Sequence, residues 1–149
     1  MITPQHSIQD NPPDDLLAKL RECLDYKCQE IIQESAIDPV VAWERGYYLE
    51  KTKAGLKRIG FGRSQQRAPA LVIPRFSPCG DPIPPQIKPN NPHVEERNGK
   101  SRPRKYETPA GTGVRLSVPP RAVPMMRDVQ KTLYITEGDK KADALASVG

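Results

Sequence analysis

The stretch LYITEGDKKADALASVG, residues 133–149, decides how the chain is read. Leu133 to Thr136 is a compact β-prone run, and it predicts a strand. Glu137-Gly138 follows as an acidic turn, with Gly138 supplying backbone freedom. Lys140 to about Ser147 then predicts a helix with Ala142, Leu145 and Ala146 on one side, and Gly149 stands where a helix cap falls. Strand, acidic-glycine turn and helix make the first half of an α/β unit. A carboxylate at the C-terminal end of a strand sits where open α/β sheets build their sites. Glu137 is therefore the candidate catalytic residue, as general acid or base, and the candidate metal ligand. Asp139 and Asp143 are close in sequence, but Asp143 lies about one and a half turns on and points away. Lys140 and Lys141, at the helix start beside Glu137, either meet phosphate or solvate the helix.

Upstream the chain changes character twice. Residues 1–13 are polar and proline-containing, and disorder is expected there. Residues 14–60 are a helical segment. A first amphipathic helix is predicted over 14–34, with Leu16, Leu17, Leu20, Leu24, Ile31 and Ile32 near helical spacing. A second starts at Asp38-Pro39, where Asp38 caps and Pro39 fits the first turn, and stops at Gly46. A third short helix is expected over Lys53–Ile59, capped by Thr52 and weakened by Gly55. Residues 61–131 form a small β/loop region. Ala70 to Ile73 predicts a buried strand, Ser77 to Asp81 a turn, and Ile83 to Lys88 a returning strand held to an edge by Pro84 and Pro85. Residues 89–104 are read as a long polar loop, Lys105 to Glu107 as a brief strand, and 108–131 as irregular. Residues 132–149 complete the order.

Composition limits the function classes. The 149 residues allow one modest domain or part of a larger one. Mean hydropathy is −0.65, and the 17 prolines imply long irregular stretches around a small core. No run approaches a membrane span and no signal-peptide pattern opens the chain, so a cytoplasmic protein with no membrane partner is expected. Cys23, Cys28 and Cys79 make neither a disulfide framework nor a zinc site. Cys23 and Cys28 fall about 140° apart around a helix, and His6 and His93 lie far from any CxxC pair. The net charge of +5 permits a polyanionic partner without requiring one. The stretch RNGKSRPRK, 97–105, carries five basic residues and no acid. It is either a solvated loop or a phosphate-contacting one. Arg63 and Arg67, flanking Ser64-Gln-Gln, carry the same two alternatives. Trp43, Tyr47 and Tyr48 fit a helix core and its edge better than a base-stacking platform. Gly60-Phe-Gly62-Arg63 lacks phosphate-loop spacing, and Gly111-Thr-Gly113 follows no convincing strand.

The motif at 133–149 resembles motif one of the Toprim domain, shared by bacterial-type primases, topoisomerases and related nucleases. The resemblance extends over 34–149. ESAIDPVVAWERGY (34–47), LKRIGFGRSQQRAPALVIPRFSPCGD (56–81), QIKPNNP (86–92), KYETP (105–109) and the terminal block are similar, in order, to an uncharacterised Toprim-like family. That family occurs in phage, plasmid and bacterial replication proteins, often beside helicase or ATPase modules. The resemblance implies an α+β protein: N-terminal helices, a small irregular β-hairpin region, then the first strand-helix unit of an incomplete Toprim fold. It implies Glu137 as acid/base or Mg²⁺ residue, with a downstream Asp-x-Asp motif as the main Mg²⁺ site. This sequence departs from the pattern in three places. Lys141 replaces the aspartate that replicative primases carry four residues after the glutamate. Lys88 and Asn90 stand where relatives have Arg and Asp, and Lys88 lacks the planar fork of arginine. No Asp-x-Asp occurs in the chain, and a truncated or split gene product is the expected explanation.

Three functions compete on these grounds. The leading expectation is the N-terminal part of a primase-like DNA-replication protein, inactive alone, whose intact form holds Mg²⁺ and handles single-stranded DNA or nucleotide. A helicase/ATPase module or a second chain would be its partner. The second is a non-enzymatic single-stranded nucleic-acid-binding module, with phosphate contacts from Arg63, Arg67, Lys88, Arg102, Arg104 and Lys105. The third is a decayed gene product that folds poorly because Leu133 to Ile135 lacks strand neighbours.

Overall fold

The computed structural model describes residues 12–149, so the disorder expected for residues 1–13 lies, as far as residue 11, outside the described residues. The class is α+β: short helices stand beside two small antiparallel sheets. Instead of one helix over 14–34, two form, α1 (Leu16–Cys23) and α2 (Tyr26–Glu34). Leu24 turns to an extended conformation, and the Asp25 carboxylate accepts from the Cys28 N–H at 2.8 Å. This is an N-cap, a position where aspartate is among the favoured residues, and it restarts the helix in a new direction. Helix α3 (Pro39–Arg45) begins as the sequence predicts: Asp38 accepts from the Val40 N–H at 2.7 Å, and Gly46 closes the helix at φ 77°. Helix α4 (Lys53–Arg58) is capped by Thr52, which accepts from the Gly55 N–H at 2.9 Å. Gly55 has a packing reason, since the Glu50 carboxylate occupies the space a Cβ there would enter.

Strands β1 (Tyr48–Glu50), β2 (Ala70–Phe76) and β3 (Pro82–Pro89) pair antiparallel in the order β1-β2-β3. Central β2 is buried on both faces, which explains its unbroken apolar run. Leu71 and Ile73 join the helices in a core with Leu20, Leu24, Cys28, Ile32 and Val41. Ala70 and Val72, on the opposite face by strand alternation, pack with Leu56, Phe61 and Ile87. Pro74 is tolerated in this strand because the ladder shifts register between Ile73 and Arg75, and β1 pairs only with residues 70–72. Pro84 and Pro85 lie opposite that shift on the edge strand, the place where proline is expected. The strand anticipated at Lys105–Glu107 is reduced to one bridge, Glu107 to Ile87.

Two further expectations need correction. The polar loop at 89–104 contains a hairpin, β4 (Val94–Arg97) with β5 (Lys100–Pro103). Asn98 at φ 53° and Gly99 at φ 69° make its two-residue turn, the Asn-Gly pattern whose backbone twist suits a hairpin. The strand expected at Leu133–Thr136 does not form. Leu133, Tyr134 and Ile135 are 61%, 73% and 78% exposed. A strand exists through hydrogen bonds to a neighbour, and no described strand lies alongside these residues. The following helix, α5 (Asp139–Ala146), forms within a residue of its expected limits.

Helix α5 is held to the rest by polar contacts. Fully buried Arg45, on α3, donates through Nε to both Asp143 oxygens at 2.9 and 3.0 Å. The Tyr47 hydroxyl donates to the same carboxylate at 2.6 Å. Asp139 pairs with Arg75 at 3.2 Å and lies 3.7 Å from Arg45. At the far end of α5, Arg121 bridges the Glu44 carboxylate, at 2.7 and 2.9 Å, to the Ala146 carbonyl at 3.2 Å. Ser147 Oγ accepts from the Asp38 N–H at 2.9 Å. Burial works against the Arg45 charge, but the adjacent Asp143 and Asp139 carboxylates leave the guanidinium above its ordinary value. No described helix is long and apolar enough to cross a membrane.

Removing one member of such a buried pair strands the other. Arg45→Met is expected to cost about 3–5 kcal/mol in urea unfolding. The double variant Arg45→Met/Asp143→Leu is expected to recover much of that loss. A single-variant cost under about 1 kcal/mol would mean that the pair does not hold α5. Cysteine labelling checks the core around α2. Burial, reinforced by Asp25, raises the Cys28 thiol to about 12. Because the folded value is raised, its contribution to stability is complete below the free-thiol range and fades as pH climbs towards the folded value. At mildly alkaline pH, Cys23 and Cys79, both exposed, should alkylate in the native protein, and Cys28 only after unfolding. Equal native rates for Cys28 and Cys79 would contradict this packing.

Candidate functional site

The start of α5 opens into a cleft of about 570 Å³, lined by Ser35, Gln86, Tyr106, Glu137, Lys140 and Lys141 among others. Gly138 is the N-cap residue and provides no side-chain cap. The first-turn N–H groups of any helix lack intrahelical acceptors and carry the positive end of its dipole. Lys140 is positioned rather than free. Its Nζ donates to Ser35 Oγ at 2.7 Å and lies 5.8 Å from the centre of the Tyr106 ring. Burial lowers its pKa from the ordinary lysine value. An anion beside Lys140 would return part of the lost charge stabilisation.

Glu137 faces solvent and pairs with Lys141 one turn along α5. The hydrogen bond from Lys141 holds its carboxyl below the usual glutamate value. The sequence placed Glu137 at a strand end; here it follows an irregular exposed segment, for want of a ladder partner. Its neighbouring carboxylates are committed elsewhere, Asp139 to Arg75 and Asp143 to Arg45 and Tyr47. Among the described residues no group of three or more His, Cys, Asp or Glu could hold a metal ion. Mg²⁺ held mainly by protein oxygens calls for more than one lone carboxylate. The described donor set thus does not fit Mg²⁺ by itself, and no chemical step is derived through it.

The basic residues singled out from the sequence divide into groups. Lys88 and Lys105 meet in a second hollow, of about 280 Å³, together with Lys27, Ile31 and Asn90. Lys140 and Lys141 line the cleft at α5. Arg63 is exposed on a 3-10 turn, Arg63–Gln65, whose Gln65 is structural: its amide donates to the Thr108 carbonyl at 2.8 Å and accepts from the Ala110 N–H at 3.0 Å. Arg67 lies 3.1 Å from His93 Nδ1. Arg102 is exposed on β5, and Arg104 pairs with Glu95, so part of the basic stretch is already neutralised.

Sequence reasoning overlooked Lys27, Ser35, Gln86 and Tyr106. The signal was spacing. Lys27, Ile31 and Ser35 recur every four residues along α2 and its cap, and Gln86 and Lys88 alternate on one face of β3. In comparisons with known proteins, no family model, no curated protein and no solved structure matches the chain.

Proposed function

We propose that this chain is the single-stranded-DNA- or nucleotide-handling part of a primase-type replication protein with a Toprim-like catalytic end. The observation that carries the reading is the meeting of Glu137, Lys140, Lys141 and the uncapped start of α5 in one cleft. Such a place suits a phosphate: backbone N–H groups and the helix dipole favour an anion, and lysines add point charge. The ordered sequence blocks over 34–149 give the reading its replication context. Within this proposal Glu137 serves as acid/base or metal residue only once further carboxylates arrive from outside the described residues. A second chain or an attached helicase/ATPase module is the proposed source. Mg²⁺ belongs to that larger assembly.

A second reading, a purely non-enzymatic nucleic-acid-binding module, is favoured by the commitment of Asp139, Asp143 and Glu137 to cationic side chains. The two differ in their need for a divalent ion. Fluorescence anisotropy with labelled single-stranded DNA at two salt concentrations tests the binding both require, and Mg²⁺-dependent synthesis with the partner present separates them. Both readings expect binding that weakens steeply with salt. The primase reading expects Mg²⁺-dependent primer synthesis once the partner is added, abolished by Glu137→Gln. In the chain alone, Glu137→Gln should tighten DNA binding, because it releases Lys141. Full synthesis by the Glu137→Gln variant would remove the catalytic assignment. No binding to DNA or nucleotide at low salt would remove both readings.

A further inference from the structure

The two hollows lie on one seam. Three elements pass from one hollow to the other in a single step. On α2, Ile31 lines the first and Ser35, one turn on, lines the second. On β3, Lys88 lines the first and Gln86, two residues away on the same face, the second. After the hairpin, Lys105 lines the first and its neighbour Tyr106 the second. One α-helical turn of four residues advances about 6 Å, and two strand residues about 7 Å. The hollows are therefore close neighbours, on the scale of successive phosphates along an extended single strand.

The first hollow has the chemistry of a phosphate site. Lys27 comes from α2, Lys88 from β3 and Lys105 from the segment after β5, so three elements aim cations at one place. No carboxylate lines it, and none of the three lysines has an acidic partner in ion-pair range among the described residues. Three like charges gathered without a counter-charge repel one another. The arrangement becomes favourable when an anion arrives. The rest of the wall is apolar or amide, with Ile31, Pro89 and Asn90, and offers surface to a base or sugar. At the other hollow the Tyr106 ring lies beside Lys140, a pairing of aromatic face and cation that single-strand-binding grooves use.

We infer that the seam between α2 and β3 is a single-stranded nucleic-acid track, with Lys27, Lys88 and Lys105 forming a second phosphate subsite next to the one at the start of α5. This rests on the proposed DNA- or nucleotide-handling function and adds the path of the strand. Lys27 becomes a binding residue, and the hairpin β4–β5 ends where the strand leaves the seam.

Oligothymidylates of about 2 to 16 nucleotides test the track, with anisotropy measured over a range of salt. One variant set carries Lys27→Gln, Lys88→Gln and Lys105→Gln, singly and together; a second carries Lys140→Gln and Lys141→Gln. Thermal unfolding confirms that each variant folds, and Lys27 and Lys105, being exposed, should tolerate the change. Each substitution in the first set is expected to reduce the slope of log affinity against log salt by about 0.7 for the longer oligomers. The dinucleotide, which spans one subsite at a time, should lose less affinity in these variants than the longer oligomers do. The second set should weaken every length. Unchanged affinity and slope for the first triple variant, with weakening in the second set, overturns the track and leaves the α5 cleft standing. Weakening only in the first set overturns the cleft and with it the two-subsite track. No effect from either set overturns both.

Discussion

The buried ion pair between Arg45 and Asp143 is the constraint on which the arrangement depends. It joins residues 98 positions apart and is the deepest of several polar contacts that hold α5 to α3. A buried pair of this kind contributes little net stability over a well-packed apolar pair, because both ions must first leave water. What it supplies is selection: α5 has one seat, since any displacement leaves two desolvated charges. The neighbouring contacts of Arg75, Tyr47 and Arg121 then fix the rotation of the helix. That rotation buries Asp139 and Asp143 against arginines and leaves Lys140, Lys141 and Glu137 on the open side of the cleft. The same contacts that orient the cationic rim thus withdraw Asp143 from the cleft and leave Asp139 in its wall already paired with Arg75.

How far the fold was legible in the sequence follows from how local each signal was. The caps at Asp38 and Thr52, the stop at Gly46 and the prolines of β3 act over a few residues, and the elements they mark are present. The split of α1 from α2 had an equally local sign in Asp25, masked by the apolar spacing that runs through it. The β4–β5 hairpin was signalled by Asn98-Gly99, but basic charge drew attention from turn chemistry. Leu133–Thr136 fails for the opposite reason. Its composition favours a strand, yet a ladder is a relation between two segments, and no local pattern guarantees the second one. Trp43 and Tyr47 join the helical core as expected, whereas Tyr48, expected with them at a helix edge, lies on β1, and the hydrogen bond from Tyr47 to Asp143 could not be read from spacing.

The site was legible only in part. Basic residues could be enumerated from the sequence, but their grouping could not. Arg104 is offset by Glu95 and Arg67 is engaged with His93, whereas Lys27, overlooked in the sequence, stands with Lys88 and Lys105. Lys140 differs from Lys141 chiefly in burial, through Ser35 and Tyr106, residues at least 34 positions away in sequence. Net charge alone gave no hint of this division. Geometry turns a modest excess of cations into two local concentrations along one seam.

The separation of Arg45 from Asp143 also bears on biosynthesis. A ribosome adding roughly 5–20 residues per second needs about 5–20 s to place Asp143 after Arg45. During that interval α1 to α3 and β2 can already gather their apolar faces, while the guanidinium has no carboxylate to enter the interior with. Hydrated Arg45 would keep that side of the nascent core open to water until α5 emerges. Closure of the core around Arg45 thereby waits for α5, and a chain halted before Asp143 would leave the guanidinium hydrated beside apolar side chains.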